Sequence, residues 1–293
     1  MGTTLVVGRD EDLCCKLVRD RLTELGREVL YLRENDLFPG MDFVWELNQG
    51  KSRGSVGRGG HRVPFEELDG VLARFTGITT SAEEHKTKDG QYLNSEWHAL
   101  ARGYIHSLPC PVVNRLRPEL WYKQRLSTAD FSAMAPQARF LQPRTLVTTN
   151  FAEVGGFFEL CGRRMRYSPI SLPANYVIED AADLEKLERL CGVMPLFLSE
   201  VVNGTAVRAF VVGREVVFDG EGSDTASEAC RESAARLGLT FCEFELVETA
   251  RGDWYCQGVQ CAPYLFDCSE EARARVIDLL IGELCAGDER RPS

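Results

Sequence analysis

The sequence predicts an α/β chain: an open α/β sheet at the N-terminal end, continued by a mixed α+β unit. Three observations carry this. Residues 3–8 (TLVVGR), a polar turn, the segment CCKLVRDRLTELG and the run EVLYLR form a strand–helix–strand unit, the start of an open sheet. Apolar runs then alternate with helix-period segments to about residue 117. Beyond that point short β-rich segments are separated by single helices, and 293 residues suffice for two or three subdomains.

The elements follow in order. Cys14, Leu17, Val18, Leu22 and Leu25 recur at helical spacing and end at Gly26, a C-cap residue. The Gly, Ser and Arg content of residues 50–60 predicts a loop or hairpin tip. LDGVLARF (68–75) reads as a third strand, and 76–91 as a polar loop. SEWHALARGYIHSL (95–108) reads as a helix with Ser95 at its N-cap. PCPVVNRL supplies a fourth strand and ELWYKQRLSTADF a helix. Two β-rich segments follow on either side of a helix at 180–191. A helix at 226–237, the strands TFCEFELVET and DWYCQGVQ, and the helix EEARARVIDLLIGELC close the chain. The expected division is 1–117, 118–191 and 192–287, with a tail at 288–293.

A net charge of -10 argues against nucleic acid or an anionic membrane surface as partner, since both select basic footprints. The basic cluster Arg163, Arg164 and Arg166 is expected on a strand edge or turn. No run approaches the ~20 apolar residues of a membrane span. The start MGTTLVVGRDED has no basic n-region, and Val6 stands where a myristoylation motif needs Ser or Thr. The expected compartment is the cytoplasm, with the 11 cysteines reduced. Cys256, Cys261 and Cys268 have no zinc spacing and no nearby histidine, so core thiols are the plainer reading.

Local motifs carry little. GKS at Gly50–Ser52 lacks the first glycine of a phosphate loop, because Trp45 stands there, and RGSVGRGG is a poor helix start. A mobile glycine-rich loop is the expectation instead. Cys14 and Cys15 are too close for a redox pair.

The informative signal is an ordered set of segments: PVVNRLRPELWYKQRL, FLQPRTLVTTN, RMRYSPISL, PLFLSEVVNGTAVRAFVVGREVVF and GLTFCEFELVETARGDWYCQGVQCAP, followed by a terminal helix. Together they resemble the ATP-grasp superfamily, in particular the graspetide or microviridin-type ligases that mature ribosomal peptides. The resemblance implies an ATP-grasp fold behind an N-terminal open α/β domain. It implies ATP and Mg²⁺ as cofactors, a peptide or small-molecule substrate, and a homodimer. Ligases of this type phosphorylate a carboxylate with ATP and let an amine or hydroxyl attack the acyl phosphate. Their catalysis is mostly positioning and charge neutralisation, with magnesium on hard oxygen ligands.

Carried over residue by residue, the resemblance places Lys123 at the first phosphate lysine. YSPIS resembles Y-K-P-L-S, with Ser168 where the second lysine belongs; serine brings no charge to a phosphate. Arg164 or Arg166 could reach the same place. SEVVNGTAVRAFVVG resembles Q-E-Y-V-x-G-x-D-I-R-V-x-V-V-G. Glu200 and Val202 match the adenine hinge, Arg208 matches the catalytic strand arginine, and Ala206 replaces the ribose acid. The loop that carries a further phosphate arginine is missing between Val217 and Leu237. Glu245 stands for the metal Asp, Gly258 for the metal Glu and Gln260 for the metal Asn; strand alternation turns Gln257 away from Gly258.

Four losses in one site favour a pseudoenzyme that binds a peptide or a partner enzyme without ordinary Mg·ATP chemistry. A divergent ligase forming a C–N or C–O bond is the alternative. A third expectation is thiol chemistry at a rim of Cys242, Cys256 and Cys261.

Overall fold

The computed structural model describes residues 2–34, 41–74, 86–115, 117–120, 125–135, 138–169 and 175–286. Four strands form a parallel sheet in the order β2-β1-β6-β7: β1 (Thr3–Gly8), β2 (Glu28–Arg33), β6 (Leu68–Ala73) and β7 (Val112–Val113). Between β1 and β2 runs α1 (Leu13–Glu24), the expected first crossover. Asp12 caps it, its carboxylate accepting from the Cys14 and Cys15 amides, and Gly26 follows in the left-handed region at φ 70°. Strand β1 is buried along its whole length, as a central parallel strand covered on both faces must be.

The glycine-rich stretch corrects the sequence reading. It is neither a mobile loop nor a hairpin tip alone, but the middle strand of a three-stranded antiparallel sheet. Strands β3 (Met41–Asn48), β4 (Lys51–Arg58) and β5 (His61–Pro64) are joined by tight turns at Gln49-Gly50 and Gly59-Gly60. Its apolar face gathers Phe43, Phe65 and Tyr104, with Phe43 and Tyr104 ring centroids 4.9 Å apart. Those aromatics lie on partners outside the stretch, so the glycine content alone misled.

Helix α2 (Lys88–Ser107) starts seven residues before the predicted Ser95 cap. Thr87 caps it, and Ser95 instead donates its hydroxyl to the Gln91 carbonyl inside the helix. Of the polar loop expected at 76–91, residues 76–85 lie outside the described residues.

Two further sheets follow. Strands β9 (Thr145–Thr148), β10 (Met165–Tyr167), β11 (Tyr176–Ile178) and β12 (Leu196–Glu200) form an antiparallel sheet in the order β11-β10-β12-β9. Helices α4 (Phe151–Leu160) and α5 (Ala181–Cys191) pack on it. The segment holding α4 reads as β-rich in the sequence. It is helical because Asn150 caps it and Val154, Phe157 and Phe158 bury one face at helical spacing. The second sheet has the order β14-β13-β15-β16-β8, with β13 (Thr205–Val212), β14 (Glu215–Asp219), β15 (Phe241–Glu248), β16 (Trp254–Gln260) and β8 (Arg125–Ser127). Helix α6 (Asp224–Leu237) packs on it, and α7 (Glu270–Cys285) runs from it to α1 and β6.

The segment ELWYKQRLSTADF is therefore not one helix. Ser127 and Asp130 form a reciprocal capping box, so α3 (Thr128–Met134) begins only there. Arg125–Ser127 instead extend along β16, Arg125 opposite Gln260 and Ser127 opposite Gly258.

Asn114 fastens the parallel sheet to this last sheet. Its amide nitrogen donates to the Phe241 and Cys261 carbonyls, and its oxygen accepts from the Thr240 and Phe241 amides. Beneath this clamp Val6, Val18 and Leu72 share one core with Phe210, Phe241 and Leu280. Among the described residues no helix is long and apolar enough to cross a membrane.

Candidate functional site

The site lies where the β9–β12 sheet meets the β8–β16 edge. Registers on the larger sheet align two rows across its strands. Arg208, Glu245, Gly258 and Ser127 are opposite one another, and Phe210, Glu243, Gln260 and Arg125 form the next row. Strand side chains alternate faces, so these positions share one face and carry its charge.

Two ion pairs occupy that face. The Arg208 Nε donates to Glu243 Oε1 at 2.6 Å and its Nη2 to Oε2 at 3.1 Å; the same Nη2 also reaches the Tyr264 carbonyl at 3.0 Å. Glu243 is buried, and burial pushes its carboxyl pKa up against the opposing pull of Arg208. The second pair is Arg125 on Glu245. Nε donates to Oε1 at 3.0 Å and Nη2 to Oε2, a fork-on-fork geometry. Gln260 donates its amide to the same Oε1 at 2.8 Å. Burial works to raise the Glu245 carboxyl, but the Arg125 and Gln260 bonds and the Arg166 charge outweigh it, and its pKa is lowered.

Gly258 explains why Arg125 can sit there. A Cβ on Gly258 would fall 2.5 Å from Arg125 Nη2 and 3.0 Å from Glu245 Oε2. The space that a side chain at 258 would take is filled by the guanidinium.

Gln257 corrects a second expectation. The β15–β16 pairing shifts between Glu245↔Gly258 and Leu246↔Cys256, so Gln257 is the extra residue of a β-bulge. A bulge suspends strict alternation. Gln257 thus turns into the cleft beside Gly258, and its side-chain oxygen accepts from Arg166 Nη1 at 2.9 Å across the two sheets.

A narrow pocket forms there. Arg125, Ser127 and Gln257 line one side, Arg166, Ser168 and Ser199 the other. Arg166 Nε is buried in it without a hydrogen-bond partner. Burial pulls the Arg166 pKa below the usual arginine range; Glu245 opposes that pull and Arg125 adds to it.

The sequence-predicted residues fall as follows. Glu245 and Gln260 are together and bonded to each other, and Arg208 is on the same face, paired with Glu243. Ser168 is buried in the pocket, its hydroxyl 2.6 Å from Asn175 Oδ1. Glu200 ends β12, with Arg144 at 3.8 Å, and Val202 lies in the connection from β12 to β13. Lys123 lies outside the described residues. Of the basic cluster, Arg163 and Arg164 face outward on Glu159 and Glu179, and only Arg166 enters the cleft. The thiol rim is overturned. Cys242, Cys256 and Cys261 are core residues, and burial pushes the Cys256 thiol up to about 12 and Cys242 well above the ordinary range. Thiols in that state are not nucleophiles.

Arg125 and Glu243 escaped the sequence reading. Arg125 lies in a three-residue strand whose partner is 135 residues away (Gln260), so no local pattern announces it. The capping box Ser127–Asp130 was the one available sign that the helix starts later. Glu243 is two residues from Glu245, on the same face, and period-2 reasoning would have paired them.

Magnesium does not fit these residues. It needs several hard oxygen ligands in octahedral array. Here Glu245 is already engaged by a guanidinium and an amide and Glu243 by a second guanidinium, and no cluster of three potential metal ligands exists among the described residues.

The two charged pairs predict opposite responses to acid. Glu245 has a lowered folded-state pKa, so its stabilisation is present above the usual carboxylate range and is lost as pH falls through the folded value. Glu243 has a raised one, so protonation relieves it as pH falls. Urea midpoints measured from roughly pH 7 down to 3 should show Glu245→Gln flattening the acid loss and Glu243→Gln steepening it.

No family model matches the chain, and no curated protein matches it either. Solved structures do. The macrocyclase MdnC of Microcystis aeruginosa MRC, bound with precursor peptide MdnA, superposes with a TM-score of 0.77 at 16% identity, covering 95% of this chain and 98% of that one. A RiPP-associated ATP-grasp ligase of Chryseobacterium gregarium, in complex with ADP and a leader and core peptide, gives 0.76 at 15% identity over 100% and 98%. The ATP-grasp ligase PsnB, complexed with minimal precursor, Mg and ADP, gives 0.76 at 22% identity over 98% of each chain. With the N-terminal parallel sheet, the two antiparallel sheets facing one cleft and the terminal helix in place, the chain has the ATP-grasp fold in the form these peptide-modifying ligases share.

Proposed function

We propose that this protein is a binding member of a peptide-modification system, a pseudoenzyme that engages a peptide or a partner enzyme without ordinary Mg·ATP chemistry. The observation that carries this is Arg125. Its guanidinium fills the space beside Gly258 and ties up Glu245, the carboxylate that the fold resemblance assigns to the metal. The similar ligases bind precursor peptides in their structures, which supports a peptide as the ligand of this cleft. In this reading residues 118–191 and 192–287 are the subdomains that flank the cleft, and 1–117 is the preceding domain.

A divergent ligase is the second reading. Arg166, a half-buried cation that lines the cleft, favours it by offering charge where Ser168 offers none. One measurement separates the two. Adding Mg²⁺ to the chain with ATP should leave the melting temperature unchanged, and no ADP should be released with or without an acidic peptide. A Mg²⁺-dependent rise of several degrees together with ADP release would overturn the pseudoenzyme reading.

A further inference from the structure

We infer that the cleft of the free chain is held shut by an internal latch, the bond from Arg166 to Gln257, and that nothing larger than water enters until this bond breaks. The inference goes beyond the proposed function, because it does not depend on what the cleft admits. Three observations carry it.

The first is the space between the walls. The pocket lined by Arg125, Arg166, Ser199 and Gln257 has a free volume of about 10 Å³, close to what one water molecule occupies. Ser168 and Ser199, which line it, are buried. Ligand pockets run to roughly 300–1,000 Å³. The walls must therefore part before a ligand enters.

The second is how the walls are joined. The β9–β12 sheet with α4 and α5 has a core of its own, in which Val154, Phe158, Met165, Leu187 and Leu198 pack together. Every member of that core lies between Leu146 and Leu198. Two connections tie this unit to the larger sheet. Residues 142–144 leave from Leu141, which is fastened to β16 through the Trp254 carbonyl and the Cys256 amide. Residues 201–204 lead from β12 back to β13. The two connections start side by side, since the Glu200 amide donates to the Arg144 carbonyl. A unit with its own core on a paired attachment can swing as one body.

The third is the latch itself. Arg166 projects from β10 and Gln257 from the bulge in β16, and their 2.9 Å bond spans the cleft. This bond leaves the guanidinium poorly provided. Its partner is a neutral amide, and Arg166 Nε is buried with no acceptor. A buried donor without an acceptor carries a cost that opening to water removes. The closed state is thus held by one bond and opposed by the cation that makes it, which poises the cleft to open.

The test places a thiol beside the latch. Ser199 lies opposite Arg166 in the strand register and lines the pocket. In the full chain carrying Ser199→Cys, alkylation by N-ethylmaleimide is followed over time and assigned by peptide mass mapping, so that native thiols are read separately. Labelling of the introduced thiol is expected to be slow. Adding Gln257→Ala should speed it by roughly tenfold or more. Adding Gln257→Glu, which makes the latch an ion pair with Arg166, should slow it. Cys256, buried in the core under the same strand, should stay unlabelled in all three chains. Equal rates in the three chains would overturn the inference, as would labelling as fast as in urea with Gln257 in place. Cys256 reacting in step with the introduced thiol would overturn it too, because that is unfolding and not a wall that swings. None of these outcomes bears on Mg²⁺-dependent ADP release, which decides the pseudoenzyme reading.

Discussion

Arg208→Ala is expected to destabilise the protein by about 3–5 kcal/mol. The cost comes from what is left behind. Glu243 is 4% exposed and holds two hydrogen bonds from Arg208. Without them a buried carboxylate keeps its charge unpaired or takes up a proton. Its pKa, already raised by burial, would climb further, and the loss should shrink as pH falls. The same substitution removes the Arg208 hydrogen bond to the Tyr264 carbonyl. Thermal unfolding at neutral pH should fall by about 10 °C for a loss of this size. The double variant Arg208→Ala, Glu243→Gln should recover a large part of it, because the unpaired charge is gone. A loss below about 1 kcal/mol, with no recovery in the double variant, would mean that the pair is not buried in solution.

Asn114→Ala is expected to cost about 3 kcal/mol and to loosen the N-terminal sheet from the rest. The side chain is 6% exposed and makes four hydrogen bonds to backbone groups at Thr240, Phe241 and Cys261. Each buried group left unpaired costs about 1–3 kcal/mol, and water entering the gap offsets part of the sum. Because these bonds join β7 to the start of β15 and the end of β16, the effect should be local in hydrogen exchange. Amides of β15 next to Phe241 should exchange faster, while those of α5, on the far sheet, should not change. Asn114→Asp tests the donors separately. It keeps the acceptor for the two amides but sets a carboxylate against the Phe241 and Cys261 carbonyls, and it should be at least as damaging.

The cleft is built on an ordinary sheet frame. The strand apolar pattern of β13, β15 and β16 is intact, and Phe244, Val259 and Leu246 are buried as a sheet core demands. The Arg125–Glu245 and Arg208–Glu243 pairs sit on the opposite face. Gly258 has no side chain, the Arg125 guanidinium fills the space beside it, and Gln257 bonds Arg166 across the cleft.

Residues whose role depends on their own neighbours in the chain were legible. Helix α7 and strands β15 and β16 follow from periodicity and lie within a residue of where the sequence puts them. Glu245 and Gln260 were placed from ordered segments, and they do meet. Legibility failed where the deciding partner is far along the chain. The glycine-rich β4 is a strand because β3 and β5 pair with it and aromatic residues cover it. Gln257 faces the cleft because a bulge breaks the alternation. Arg125 is a site residue because β8 adds itself to the edge of β16.

The sequence by itself determined the first strand–helix–strand unit, the last two strands and the closing helix, and an ordered set of segments that resembles the ATP-grasp ligases. The elements are matters of local period, fixed by which side chains can be buried at two- or 3.6-residue spacing; the likeness rests on the order of the resembling segments. The tertiary structure alone decided that Arg125 meets Glu245. A guanidinium reaches a carboxylate 120 residues away only after the sheet has brought the two strands side by side, and no one-dimensional pattern records that distance.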